Sequence, residues 1–136
     1  MALMFDLNSR ILVVDDASAM RMVVTGFLKE IGFSNLTEAS NGQQAYDLIA
    51  NGGKFDIIFS DHHMPELTGL ELLRKVRELD AWKNTPFFML TSESEKGMIV
   101  DALKRGASNY IIKPVNLETL KSKMQAAFER IQKSKT

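Results

Sequence analysis

Five short apolar runs alternate with helix-periodic segments along this chain, and four of them end on a residue that carries chemistry. Ile11-Leu12-Val13-Val14 runs into Asp15-Asp16. Phe55 to Ser60 runs into Asp61, followed by the turn-like His62-His63-Met64-Pro65. Phe87-Phe88-Met89-Leu90 runs into Thr91, and Tyr110-Ile111-Ile112 into Lys113 and Pro114. The fifth run, Leu36 to Ala39, is short. None shows the period-two alternation of a half-solvated strand, so the pattern predicts a sheet covered on both faces.

The intervening stripes set the helices. Met20, Val23, Val24, Phe27, Leu28 and Ile31 recur three and four apart, and Gly32 stops that helix in a left-handed cap. Asn41, with Gln44 three residues on, opens a second helix that turns Ala45, Leu48 and Ile49 inward. Asn51-Gly52-Gly53 ends it. Thr68-Gly69-Leu70-Glu71 reads as a capping box with Leu67 and Leu72 as its staple. The third helix is expected to bury Leu70, Leu73, Val76 and Leu79. Ser92 and Glu95 offer the same box to a fourth helix, with Met98, Ile99, Ala102 and Leu103 inward and Gly106 closing it. Asn116 caps a fifth, striped by Leu117, Leu120, Met124, Ala127, Phe128 and Ile131. Lys133 to Thr136 are expected to fray.

A strand-helix unit repeated five times with right-handed crossovers makes an open, doubly wound α/β sheet. The flavodoxin-like strand order 2-1-3-4-5 is predicted, because it sets the first and third strands side by side at the switch point. Asp15, Asp16 and Asp61 then converge at the sheet's C-terminal edge, where ligands bind in such folds. A single domain is expected over residues 1–136, with its core at about 10–131.

Charge and composition narrow the function. The 136 residues have a formal net charge of zero, which argues against a general nucleic-acid binder or a membrane-surface protein. With no cysteine there are no disulfides, thiolate metal sites or cysteine nucleophiles. The opening Met1-Ala2-Leu3-Met4-Phe5-Asp6 lacks the basic and apolar segments of a signal peptide. No apolar stretch is long enough to cross a bilayer. A cytoplasmic monomer is expected.

Three carboxylates brought together repel. At an effective dielectric near 20, each unit-charge pair at ~4 Å costs on the order of 4 kcal/mol before screening. Oxygen-only ligands suit a hard cation, and Mg²⁺ commonly takes one or two carboxylates plus water and phosphate oxygens. A cation would relieve the repulsion and leave an aspartate oxygen free to attack phosphorus. A lysine and a hydroxyl nearby can hold the phosphoryl oxygens. Together these groups suit phosphoryl transfer onto an aspartate. Taken singly, Asp15-Asp16 read equally well as a helix cap and Asp61 as a turn residue, while Thr91-Ser92 read better as a cap and Lys113 as a solvated lysine. Their matched positions in a repeating frame favour the joint reading.

The pieces Ile11-Leu-Val-Val-Asp15-Asp16, Ser60-Asp61-x-x-Met64-Pro65, Leu90-Thr91-Ser92 and Gly106-Ala107-x-x-Tyr110-Ile111-x-Lys113-Pro114 resemble the receiver domains of two-component response regulators, among them the stand-alone CheY-like chemotaxis regulators. The resemblance runs from about Arg10 to Ile131. It implies that a histidine kinase of the CheA-like kind donates a phosphoryl group to Asp61. It implies that Asp15, Asp16, Asp61 and the backbone carbonyl of His63 bind Mg²⁺, and that the Lys113-Pro114 bond is cis. It implies a domain that catalyses its own phosphorylation and dephosphorylation without being an enzyme on external substrates. Thr91 is then a phosphate-binding switch residue beside Lys113, and Tyr110 is an aromatic that turns inward. The signal leaves through the face of the fourth helix, fifth strand and fifth helix, with Lys104, Arg105, Tyr110, Val115 and Lys121 as contributors. The implied output is a protein such as the flagellar motor switch, with a phosphatase as a further partner.

The histidine pair departs from the Trp-Asn found in many chemotaxis regulators. Adjacent histidines raise a transition-metal site, but neighbouring side chains of an extended segment point opposite ways, so solvent-facing loop residues are expected. His63 and Glu93, each two residues past a key group, are expected to flank the path of attacking water and to tune phosphate lifetime, with pH entering through the imidazole. Three other functions compete. A phosphate sink or a phosphorelay intermediate would use the same residues. A flavodoxin-like phosphatase would need a general acid for the leaving group, and none is evident. A flavin-binding flavodoxin would need a hydroxyl- and glycine-rich first turn in place of Asp15-Asp16.

Overall fold

A computed structural model describes residues 5–134. The opening residues 1–4 and the end residues 135–136, on which two expectations above partly rest, lie outside the described residues.

Each apolar run is a strand and each stripe a helix. In chain order the elements are β1 (Arg10–Val14), α1 (Ser18–Ile31), β2 (Asn35–Ala39), α2 (Gly42–Ala50), β3 (Ile57–Asp61), α3 (Gly69–Arg77), β4 (Phe87–Thr91), α4 (Ile99–Lys104), β5 (Asn109–Ile112) and α5 (Leu117–Ser134). Two 3₁₀ segments, Asp80–Trp82 and Glu93–Met98, precede β4 and α4. The five strands are parallel in the order β2-β1-β3-β4-β5. The flavodoxin-like order predicted from the sequence is the one observed.

The absence of alternation has its cause in the packing. Successive strand residues point to opposite faces, and both faces are covered. Ile11, Val13, Ile57, Phe59, Phe88 and Leu90 pack under α1 and α5 with Val24, Leu28, Leu120 and Met124. Leu12, Val14, Ile58, Phe87 and Met89 pack under α2, α3 and α4 with Ala45, Ile49, Leu72, Leu73 and Ala102. Phe59 and Phe88 stack between adjacent strands, with ring centroids 4.9 Å apart. β2 sits at the sheet edge and leaves Thr37 and Glu38 exposed, which is why its run is the least apolar.

Several faces differ from the sequence reading. In α1, Val23 is 39% exposed. Thr25 is buried instead, its hydroxyl donating to the Arg21 carbonyl at 2.9 Å. In α3 the buried residues are Gly69, Leu72, Leu73 and Val76. Leu70 is only half-buried, and Leu79 lies beyond the helix. A nine-residue helix can satisfy several stripes, and contact with α2 and the sheet chooses among them. In α4, Leu103 is 40% exposed, because a helix of six residues reaches the sheet mainly through Ala102. α5 continues through Ser134, so the expected fraying does not begin at Lys133.

The caps behave as read at three of four places. Asn41 accepts from the Gln44 N–H at 2.7 Å, although Gln44 returns its bond to Ser40. Thr68 and Glu71 form a complete capping box. Asn116 accepts from the Thr119 N–H at 2.8 Å. Ser92 and Glu95 are the exception, and a 3₁₀ segment stands where the first turns of α4 were expected.

Candidate functional site

β1 and β3 are neighbours with Val14 opposite Ser60, so the residues just past that point, Asp15 and Asp61, meet. One carboxylate oxygen from each of Asp15, Asp16 and Asp61 lies within 4.8 Å of the other two. Among the described residues this is the one acidic or histidine group close enough to hold a metal ion. Asp15 and Asp61 are buried, and Asp16 is exposed.

The opposite wall comes from β4 and β5. Thr91 lies opposite Ile112, and the Lys113 N–H donates to the Thr91 carbonyl at 2.7 Å. That bond aims the next side chain across the edge. Lys113 Nζ donates to Asp61 Oδ1 at 2.9 Å and to Asp15 Oδ2 at 3.4 Å. The bond between Lys113 and Pro114 is cis. Thr91 is fully buried, and its hydroxyl donates to the Ser92 carbonyl at 3.3 Å.

Supporting bonds hold each acid in place. The Asp15 N–H donates to the Ala39 carbonyl at 3.1 Å, and Asp15 Oδ1 accepts from the Ala17 N–H at 2.9 Å. Arg21 donates to the Asp15 carbonyl at 2.6 Å and pairs with Glu38 at 3.0 Å, tying the turn after β1 to β2. Behind Asp61, Gly69 donates to the His62 carbonyl at 2.9 Å. A Cβ added at Gly69 would stand 2.4 Å from the Asp61 carbonyl oxygen, so only glycine lets α3 start this close to the site. Neither Arg21 nor Gly69 stood out in the sequence. A long-range brace and a close backbone approach leave no local pattern.

The electrostatics follow from burial and crowding. Burial pushes the Asp61 carboxyl above the usual carboxylate range, and the charges of Asp15 and Asp16 add to that, against the Lys113 hydrogen bond and charge. Burial pulls the Lys113 ammonium down, but its hydrogen bond to Asp61 and the Asp61 and Asp15 charges together raise it. The cluster therefore holds its negative charge at a cost. One lysine does not offset three carboxylates, and a hard divalent cation fits the remaining deficit.

These groups line a cleft of about 540 Å³ with His63, Ser92, Ser94 and Glu95. His63 is exposed and Glu93 is exposed, and Glu93 is not among the lining residues. The carboxylate that meets His63 is Glu95, with Oε2 at 3.5 Å from Nδ1. His62 is not the solvent-facing residue expected: it is half-buried, and its Nδ1 is buried without a hydrogen-bond partner. Neither histidine belongs to the metal-holding group, which removes support for a transition-metal reading.

Of the residues assigned to the output face, Lys104, Arg105 and Lys121 are exposed, and Tyr110 is half-buried with Lys123 Nζ 3.8 Å from its ring centroid. Val115 does not belong to that surface. It is buried in the core beneath α1 and α5.

A model of the response regulator receiver domain matches residues 11–125, which takes in all of these groups. The chain belongs to the receiver family. This receiver is 38% identical over 122 residues to the chemotaxis protein CheY of Pseudomonas aeruginosa, covering 90% of this chain and 98% of that one. The solved chemotaxis response regulator CheY4 of Vibrio cholerae superposes with a TM-score of 0.73 at 30% identity, over 93% of this chain and 98% of that one. The receiver domain of a sensor histidine kinase from Pseudomonas aeruginosa PAO1 superposes with a TM-score of 0.77 at 25% identity, over 90% and 98%. That structure has a magnesium ion coordinated in its active site cleft. At the family level this receiver is a CheY-like response regulator of two-component signalling. Among the described residues, no helix is long and apolar enough to cross a membrane.

Proposed function

We propose that this receiver takes a phosphoryl group from a phosphohistidine of a CheA-like histidine kinase onto Asp61, and thereby controls a protein partner in chemotaxis. The observation that carries the reading is the Lys113 ammonium, 2.9 Å from Asp61 and 3.4 Å from Asp15, set against three carboxylates within 4.8 Å.

In the transfer, an Asp61 oxygen attacks phosphorus, the new O–P bond forms, and the donor's N–P bond breaks. The imidazole nitrogen of the donor keeps the bonding pair and takes up a proton. Lys113 holds Asp61 through Oδ1 and fixes the orientation of the carboxylate. The same ammonium lies within reach of the oxygens of an arriving phosphoryl group, whose charge it offsets. Asp15, Asp16, Asp61 and the His63 backbone carbonyl are the ligands proposed for Mg²⁺. The all-oxygen donor set and the raised Asp61 carboxyl fit that ion. Bound there, Mg²⁺ would neutralise the cluster and stabilise charge on the transferring group.

The phosphoryl group brings negative charge to a place that a buried hydroxyl can reach. Thr91 is the proposed sensor, leaving the Ser92 carbonyl to donate to a phosphoryl oxygen. Tyr110 then moves from its place beside Lys123, and the face around Lys104, Arg105 and Lys121 changes. That face is proposed to meet the output protein, for which the flagellar motor switch is the leading candidate. The receiver acts as a cytoplasmic monomer, a phosphatase would return it to rest, and it turns over no external substrate.

Incubation with acetyl phosphate and Mg²⁺ should add one phosphoryl mass to the wild-type chain, localised to Asp61. Asp61→Asn should abolish the gain, and chelating the magnesium should suppress it. A gain that survives in Asp61→Asn would sink the assignment. Capture of a motor component by the phosphorylated form alone supports motor control, equal capture without phosphate argues against a phosphorylation-gated output, and no capture in either state favours a phosphate sink or a phosphorelay intermediate.

A further inference from the structure

Glu95 reaches across the cleft mouth, and none of the roles above uses it. Its side chain is 21% exposed. Oε1 accepts from the Ser92 N–H at 3.3 Å and from the Ser92 hydroxyl at 3.0 Å. Oε2 lies 3.5 Å from His63 Nδ1. One end of the carboxylate is therefore anchored to the residue that follows Thr91. The other touches the residue two past Asp61.

We propose that Glu95 and His63 form a latch across the mouth of the Asp61 cleft, with Glu95 as a positioning residue that sets how fast phosphoryl groups arrive and leave. The proposal rests on Asp61 being the phosphoacceptor. A water that attacks phospho-Asp61 in line must approach from the side opposite the Asp61 oxygen. Hydrolysis forms the water O–P bond, breaks the Asp61 O–P bond and passes the water's proton to solvent. Glu95, His63 and Ser94 line the cleft that this water must cross.

Anchored through Ser92 at the cleft mouth, the Glu95 side chain stands in the way of the approach to Asp61 and obstructs it. Its charge also opposes an anionic donor at short range. The two ends differ in strength. The Ser92 end is fixed by backbone and hydroxyl together. The His63 end meets a ring that is 88% exposed, and such exposed pairs hold weakly, so the latch opens there. Thr91 joins the same device. Its hydroxyl rests on the Ser92 carbonyl, so its move toward a phosphoryl group disturbs the residue that anchors Glu95.

The test measures three rates or affinities in the full chain: phosphorylation by acetyl phosphate, hydrolysis of phospho-Asp61, and magnesium affinity by calorimetry. Glu95→Ala should speed phosphorylation and hydrolysis several-fold, with magnesium affinity close to wild type. Glu95→Gln removes the charge but keeps an acceptor for Ser92 and the side-chain bulk against His63, so the cleft mouth stays obstructed. It should speed phosphorylation by the anionic donor and leave hydrolysis by neutral water near the wild-type rate. His63→Ala should reproduce the faster hydrolysis and add nothing on a Glu95→Ala background, since both remove one contact. Unchanged or slower hydrolysis in Glu95→Ala would overturn the latch, as would additive effects of the two substitutions. A purely structural role would lower the thermal midpoint and magnesium affinity together, with no separation of Gln from Ala, and that too overturns it. A wild-type chain that takes no phosphoryl group sinks the proposed function and the latch together. A phosphorylated wild type with indistinguishable variants sinks the latch alone.

Discussion

The starts of α3 and α4 carry the same signature, a hydroxyl followed three residues later by a glutamate, and fold differently. At Thr68 the hydroxyl accepts from the Glu71 N–H at 3.2 Å, and Glu71 Oε1 accepts from the Thr68 N–H at 2.9 Å. Two orphan donors are satisfied, and a regular α-helix begins at Gly69. At Ser92 the hydroxyl donates to Glu95 Oε1, and the Glu95 N–H turns to the Ser92 carbonyl at 3.0 Å. The side chains bond each other, the backbone closes a 3₁₀ turn, and α-helix begins only at Ile99. The motif names possible partners. Which bonds form depends on what else lies within reach, and Glu95 lies within reach of His63 at the cleft.

Substitutions can break this comparison, starting with the largest expected effect. Gly69→Ala should destabilise the chain by about 3 kcal/mol, the upper end of overpacking costs, and slow Asp61 phosphorylation, since its Cβ would strike the Asp61 carbonyl. Denaturant midpoints and the acetyl phosphate assay check both effects. Thr68→Ala should cost about 1 kcal/mol, the usual loss for an N-cap. Ser92→Ala should cost clearly less in the same unfolding experiment, because its hydroxyl caps no backbone N–H. Equal costs would mean that the two starts are energetically alike.

Hydrogen exchange sharpens the contrast without mutation. Amides of the 3₁₀ segment Glu93–Met98 should exchange faster than those of Leu72 to Val76 in α3, because short 3₁₀ turns with little buried surface open locally. The smallest effect is in pH. The Thr68 N–H and hydroxyl hold the Glu71 carboxyl below its ordinary value of 4.5. A group with a depressed folded value stabilises above its unfolded value and loses that contribution as the pH falls through the folded one. Glu71→Gln should therefore lower the thermal midpoint slightly at pH 7, with the difference fading in acid below that window.

What could be read in advance was local. Asp15, Asp61, Thr91 and Lys113 each end an apolar run, so their positions on one sheet edge follow from strand length and parallel order. Thr68 and Asn116 were legible as caps for the same reason. Glu95 was read only as a cap, and Glu93 was expected, with His63, to flank the path of the attacking water. Spacing along a chain predicts neighbours only where the backbone geometry is regular, and across the 3₁₀ turn Glu95 comes to line the cleft and meet His63. Leu70, Leu103, Val23 and Val115 were misjudged because their burial depends on which neighbouring element covers them.

By itself, the order of apolar runs and helical stripes determined a doubly wound parallel sheet and put the acids, the hydroxyl and the ammonium at strand ends, because side-chain period and turn chemistry act over a few residues. Only the tertiary structure decided that Lys113 bridges Asp61 and Asp15, that Arg21 braces the first turn, that Gly69 stands against the Asp61 backbone, and that Glu95 faces His63. Those contacts join residues from separate elements. Their distances depend on how strands and helices pack in three dimensions, which no local pattern records.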